Sequence, residues 1–594
     1  MGVPGGNKRI IIITVSSALL VAMVVGAVVG VIQYKKQEQR GGGGGGGGDG
    51  DGDGDSKPGD KNAVRTSKPI VAICQPTNYK QECENSLQKE AGDKRDPKDL
   101  ARVGIQVAIN KLDEAIRNSK TLPDQAKDPM TKQALHICNQ LLNASMYDLK
   151  ISFNKMGALD LEKVDEYAED VEVWLSGAVS HQATCIDESQ NTTEDVGKKM
   201  KEILKSAHES TSNALAMVTE ITNALNSLHF KSNRRRLLAS SPPSKNNNNN
   251  KNNQHKQNGN KSNQGLPSWL TDRKLDLLTA TPETLKPNVT VAQDGNSKYK
   301  TINEALKLVP KKSNDLFVIY VKEGVYKESV TVAGMMENVV MIGDGPTKSR
   351  ISGDNNFASG TRTMYTATVA VVGNFFVAKD IGFENTAGAK GHQAVALRVQ
   401  SDFSIFYNCH IDGYQNTLYV QAYRNYFRDC NITGTIDFIF GDAVSLFQNC
   451  EIVVRKPMDN QTCIVTAQGK TDKNEVTGIV LQNCTIRGDP EYENKGYLGR
   501  PWKNFAKTVV MQSQIDDVIQ PEGYMPWDGA KFHMTSFFGE YDNRGPGADM
   551  SSRAGWPSIK KLDDKQAKAY SGKKWFEGDR WVKPSGVPFV SGIM

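Results

Sequence analysis

One short pattern, written four times, constrains this chain more than any other feature. Phe-Ser-Ile-Phe-Tyr-Asn-Cys-His-Ile at 403–411 returns in outline as Asn-Tyr-Phe-Arg-Asp-Cys-Asn-Ile at 425–432 and Ser-Leu-Phe-Gln-Asn-Cys-Glu-Ile at 445–452. A fourth copy, Gly-Ile-Val-Leu-Gln-Asn-Cys-Thr-Ile, stands at 478–486, and a divergent early one, Phe-Val-Ala-Lys-Asp-Ile, at 376–381. Asn408 and Asp429 are 21 residues apart, Asp429 and Asn449 20. That period matches one coil of a right-handed parallel β-helix, in which equivalent side chains stack inside and polar residues make the turns. A single coil cannot hide its apolar side, so the stack must form cooperatively. The recurring Asn or Asp is read as a turn residue and the cysteine beside it as a core filler, in preference to a metal site.

The repeat occupies only the later part of the 594 residues, a length beyond one hydrophobic core. Hydrophobic residues make up only 38% of the chain because linkers dilute it. Residues 41–48 are all glycine, 49–55 alternate acid with glycine, and 246–250 open an asparagine-rich tract. None of these can bury enough apolar surface to order itself. The expected organisation is a membrane or secretory segment at 1–40, a Gly/Asp-rich linker at 41–67, a helical region at 68–230, a second linker at 231–284 and a β-rich domain at 285–594.

In the helical region apolar residues recur at helical spacings, as at Leu100, Val103 and Val107 and again at Ile203, Ala207, Ala214 and Val218. The expectation is an all-α four-helix bundle with short connections. Its four cysteines suit that form: Cys74 with Cys83 closing a hairpin, Cys138 with Cys185 stapling two helices. Ahead of it, residues 10–32 are apolar apart from small or hydroxyl side chains. At about 1.5 Å per helical residue they reach roughly 34 Å, enough to cross a bilayer. Lys8 and Arg9 precede this stretch, and its length favours an uncleaved signal anchor over a signal peptide; Lys35, Lys36 and Arg40 on the far side oppose the charge rule for orientation. Either form sends the rest into the secretory route, where the sequons at Asn143, Asn191, Asn288, Asn431, Asn460 and Asn483 are chemically open to glycosylation. A net charge of +6 suits acidic partners, but no zinc finger, aromatic RNA-binding string or basic helix supports nucleic acid.

Four strings within the β-rich domain carry the chemistry: Gln-Ala-Val-Ala-Leu-Arg at 393–398, Gly-Tyr-Gln-Asn-Thr-Leu-Tyr at 413–419, Asp-Phe-Ile-Phe-Gly at 437–441 and Leu-Gly-Arg-Pro-Trp at 498–502. In this order they resemble the active-site signature of plant pectin methylesterases. The helical region, with its cysteine spacing, resembles the pectin methylesterase inhibitor family, also found as the pro-region of such enzymes. Arg234, Arg235, Arg236, Leu237 and Leu238 resemble the basic processing site of these pro-enzymes, expected in an exposed, poorly structured stretch where a protease can grip an extended backbone.

The resemblance implies a hydrolase of methyl-esterified cell-wall homogalacturonan, with no cofactor and no metal. Ester hydrolysis needs attack at the carbonyl, stabilisation of an oxyanion and protonation of the departing methanol. It implies Asp437 as nucleophile, held charged by a forked hydrogen bond from Arg500, and Gln393 and Gln415 as neutral amide donors to the oxyanion. Trp502 corresponds to a sugar-stacking residue and Thr363 to a substrate contact. Cys430 and Cys450, one coil apart, correspond to a bonded pair. One position departs from the family: Asn416 stands where the family has the aspartate that protonates methanol, and an amide cannot shuttle a proton at ordinary pH. Two rivals follow: a silent pectin-binding or regulatory protein, favoured by Asn416, and a pectate lyase, disfavoured by the string ending at Trp502 and by the lack of an evident calcium-binding aspartate cluster.

Overall fold

A computed structural model describes residues 67–158, 164–190, 192, 195–238, 266–267, 279–492 and 494–594. The expected anchor at 10–32 and the glycine, Gly/Asp and asparagine tracts lie outside them. Among the described residues no helix is long and apolar enough to cross a membrane. The chain divides into two compact units, one of residues 1–119, 146–175 and 202–244, the other of residues 120–145, 176–201 and 245–594.

In the second unit the repeat folds into a right-handed parallel β-helix. Three sheets of eleven, seven and eight strands run side by side, and hydrogen-bonded neighbours mostly lie three strands apart in sequence, so a typical coil gives one strand to each sheet. Every pairing among the repeats is parallel and in register: Ser404 pairs with Asn425 and that with Ser445, while His410 pairs with Asn431 and that with Glu451.

Register turns equivalent residues into columns. Phe406, Phe427 and Phe447 stack through the interior with ring centroids 4.9 and 4.5 Å apart. Ile411, Ile432, Ile452 and Ile486 form a second buried column, and Cys409, Cys430, Cys450 and Cys484 a third. At the turn, Asn408, Asp429, Asn449 and Asn483 all have φ between 50° and 57°. This left-handed conformation is one that Asn and Asp tolerate because their side chains can hydrogen-bond locally. Here those bonds run along the column, Asn449 donating to Asp429 at 2.7 Å and Asn483 to Asn449 at 3.1 Å.

The implied Cys430–Cys450 bond is corrected: both thiols are free and buried. Each sits in a column with a like neighbour on both sides and turns its sulfur to the backbone of the preceding coil, Cys430 Sγ to Phe406 O at 3.4 Å and Cys450 Sγ to Phe427 O at 3.6 Å. Because the Phe427 ring is fully buried between two others, Phe427→Ala should lower the unfolding free energy by about 3–5 kcal/mol, read as a fall in the denaturant midpoint.

Among the described residues the helical region includes α1 (Lys68–Cys74), α2 (Lys80–Glu90) and four long helices, α3 (Pro97–Ser119), α4 (Pro129–Gly157), α5 (Val164–Gln190) and α6 (Val196–Leu238), with a single helical turn at Leu122–Gln125 between α3 and α4. Their apolar spacing is the reason: in α3 the side chains of Leu100, Ala101, Ile105, Ala108, Leu112 and Ala115 fall on one buried stripe. Asp128 starts α4 by accepting from the backbone of Met130 and Thr131, with Pro129 at the first helical position. A disulfide joins Cys74 to Cys83 in the first unit, and another joins Cys138 to Cys185 in the second.

The basic run differs from its expected loop. Arg235, Arg236, Leu237 and Leu238 form the last turn of α6, which continues because nothing before Pro242 interrupts its helical spacing. A helix end still leaves its final carbonyls without intrahelical partners and frays readily.

Candidate active site

The seven-stranded sheet positions the site. We label its strands β1 (Val330–Val332), β2 (Val369–Val371), β3 (Leu397–Gln400), β4 (Leu418–Ala422), β5 (Ile439–Gly441), β6 (Ile464–Gln468) and β7 (Tyr497–Pro501), hydrogen-bonded in that order. Thr363 opens the 3-10 turn before β2, Gln393 precedes β3, Gln415 and Asn416 precede β4, and Asp437 precedes β5. Arg500 lies in β7 and Trp502 just after it. Residues up to 139 positions apart in sequence thus reach one wall, because each coil delivers its segment to the same sheet. All seven line one groove of about 600 Å³.

Contacts fix their order. Gln393 and Gln415 are bridged across adjacent coils, and the Asn416 N–H donates to Ile436 O at 3.0 Å. The Asn416 side-chain amide donates to the backbone carbonyl of Asp437 at 3.2 Å. Arg500 grips the Asp437 carboxylate with a fork, Nε to Oδ1 at 2.8 Å and Nη2 to Oδ2 at 2.6 Å. Its guanidinium also lies 4.3 Å from the centre of the Trp527 ring, a cation–π contact that helps to hold it. Trp502 meets Phe440 edge-on at 5.9 Å, and Phe440 stacks on Tyr419 at 4.3 Å. Gly469 makes room for that indole: a Cβ there would stand 2.7 Å from the Trp502 ring.

Asp437 and Asn416 both have positive φ, 48° and 60°. At Asp437 this turns the carboxylate out of the solenoid interior toward the groove, at a backbone cost of order 1–3 kcal/mol. Burial pushes the Asp437 carboxyl above the usual aspartate range, and the Arg500 hydrogen bonds and charge pull it back without cancelling the rise.

Known proteins resemble both the helical and the β-rich regions of the chain. A family model described as Pectinesterase matches residues 288–579, and one described as Plant invertase/pectin methylesterase inhibitor matches residues 68–217. A putative pectinesterase/pectinesterase inhibitor 28 of Arabidopsis thaliana is 43% identical over 99% of this chain and 75% of its own length. A probable pectinesterase/pectinesterase inhibitor 21 of the same plant is 42% identical over 99% of this chain and 83% of its own. The chain belongs to the pectinesterase family. A solved pectin methylesterase from carrot is 45% identical, covers 52% of this chain and 98% of its own, and superposes with a TM-score of 0.51.

Several groove residues of this family member escaped the sequence reading. Arg362 lies one position before Thr363 and Lys503 one after Trp502, while Trp527 and Phe357 come from turns that carry no motif. Their only signal was adjacency to a motif residue, and Trp527 and Phe357 lack even that. Asp187 and Glu188 of α5, in the same compact unit, also line the groove.

Proposed function

We propose that this chain hydrolyses methyl esters of cell-wall homogalacturonan to pectate and methanol. The observation that carries the reading is a buried carboxylate, Asp437, forked to Arg500 in a groove also lined by the glutamines Gln393 and Gln415. Asp437 attacks the ester carbonyl carbon, and the side-chain amides of Gln393 and Gln415 stabilise the resulting oxyanion. Its collapse breaks the bond to methoxide, which takes a proton and leaves as methanol. Water then opens the acyl-enzyme anhydride, returning the pectate carboxylate and ionised Asp437. With Asn416 at the acid/base position, water supplies the proton, and the chemistry is correspondingly slow. Trp502 offers its face to a sugar ring, and Thr363 contacts the substrate nearby.

The helical segment acts as the pro-region. Residues 10–32 anchor the precursor in the secretory membrane, and cleavage at the frayed helix end around Arg235, Arg236, Leu237 and Leu238 releases the esterase to the wall. Asn143, Asn288 and Asn460 are exposed and accept glycans. The deciding assay is methanol release from esterified homogalacturonan by the full chain and by the chain cleaved after Arg236; none from either ends this reading. Asn416 favours a second reading, a silent pectin binder, which predicts retained binding with no methanol.

The pH profile supplies a further check. Arg500 opposes the upward push of burial on Asp437, so removing its charge raises that carboxyl further and leaves less of it ionised at a given pH. For Arg500→Gln the acid limb of kcat/KM should therefore move to higher pH, with a loss on the order of tenfold or more at the optimum from the missing fork.

A further inference from the structure

Gln468, the last residue of β6, belongs to none of the four motif strings and is fully buried, yet its hydrogen bonds gather from three successive coils. Its side-chain Oε1 accepts from the backbone N–H of Lys470 at 3.0 Å and from that of Lys507 at 2.8 Å. A backbone N–H only donates, so the amide nitrogen has to face the other way. There Nε2 donates to Asp442 Oδ1 at 3.0 Å, and the same oxygen accepts from Thr477 Oγ1 at 2.6 Å.

What these bonds hold is a short strap, residues 502–506, which leaves β7 after Pro501 and enters the strand Lys507–Met511 of the eleven-stranded sheet. Gln468 fastens both of its ends. The backbone carbonyl of Gln468 accepts from the Trp502 N–H at 3.2 Å, and the side-chain oxygen accepts from the Lys507 N–H. Lys470, tied to that same oxygen, takes the Phe505 N–H on its carbonyl at 3.1 Å in the middle of the strap. At the far side of the amide, Asp442 directly follows β5, the strand that Asp437 precedes. One buried side chain thus ties the coil of the carboxylate to the strap that bears the indole.

Resting on the pectin reading above, we propose that Gln468 is a positioning residue for Trp502: its amide holds the strap where the indole can meet a sugar ring in the groove, and Asp442 fixes which way that amide faces. Gln468 touches no substrate. It acts through Trp502, and so on the hold that the groove has on the polysaccharide.

The test uses the chain cleaved after Arg236, titrated by calorimetry with a fully methylated oligogalacturonate. Trp502→Ala should weaken binding about tenfold, and Gln468→Leu, which removes the amide at similar volume, by a similar factor. On the Trp502→Ala background Gln468→Leu should add no more than about twofold, because the indole through which it acts is gone. Gln468→Glu combined with Asp442→Asn trades donor for acceptor across the same contact and keeps an oxygen for both backbone N–H groups, so this pair should bind within about twofold of the parent. Parental affinity in Gln468→Leu, a full tenfold loss on top of that of Trp502→Ala, a tenfold loss in the exchanged pair, or no binding by the parent overturns the proposal. Gln468→Leu leaves two buried N–H groups unpaired, so circular dichroism checks it. If it unfolds, Gln468→Asn, whose shorter amide cannot span from Asp442 to Lys507, takes its place in the same comparisons. Binding is read without turnover, so missing methanol would end the esterase reading and leave this measurement standing. Methanol release with additive losses would overturn the positioning role alone.

Discussion

Asp437→Ala should release no methanol from esterified pectin above the buffer rate, a loss on the order of 10⁴-fold or more relative to the parent. No other carboxylate in the groove is forked to an arginine, among the described residues, and pre-aimed by a positive φ. The substitution leaves the Arg500 guanidinium half-paired in a partly buried place, which costs about 1–3 kcal/mol of stability. A melting curve must accompany the assay, and Asp437→Asn, which preserves shape and one hydrogen-bonding oxygen, should stay folded and be equally inactive. A Asp437→Asn chain that turned over at the parent rate would place the nucleophile elsewhere.

The opposite change is expected one coil earlier. Asn416→Asp should raise kcat by about a hundred- to ten-thousand-fold, the usual contribution of a positioned general acid and base. The position suits the role: Asn416 is buried at the groove wall and its amide already reaches the backbone of the nucleophile at 3.2 Å. A carboxyl in its place would sit close to the Asp437 carboxylate. Like charge and burial would both raise its pKa, the direction a proton donor to methanol requires. The structural cost is one hydrogen bond, about 0.5–1.5 kcal/mol. Single-turnover measurement separates the two steps, since the acid serves methanol departure and the base serves opening of the anhydride. Equal turnover by parent and variant would mean that the proton comes from another source.

How much of this was legible beforehand follows from the physics of repetition. In a parallel solenoid a local pattern is read out directly as a column, so Asn408, Asp429 and Asn449 announced both the coil length and the turn. The Phe406, Phe427 and Phe447 stack came with them. The four motif strings likewise fell on one wall, because each precedes or occupies a strand of the same sheet. Where the reading went astray, the deciding term was not local. The Arg235 to Leu238 run was expected in a poorly structured stretch because of its polar surroundings, yet α6 runs through it to Leu238, so the basic cluster ends a helix. Cys430 and Cys450 are neighbours in a column of four free thiols, and column membership alone does not make two sulfurs join.

The amino-acid order by itself determined the coil period, the helical character of the region ahead of it, and the identities of Asp437, Arg500, Gln393, Gln415 and the anomalous Asn416. The period and the helical character are properties of spacing, which a linear pattern holds in full, while the site residues were implied by the resemblance of the motif strings to the family. Only the tertiary structure decided that Arg500 closes a fork on Asp437 across 63 residues, that Trp527 lies against its guanidinium, and that Arg362 and Lys503 meet two acids of α5. Those relations arise from stacking coils about 4.8 Å apart, where distance along the axis replaces distance along the chain.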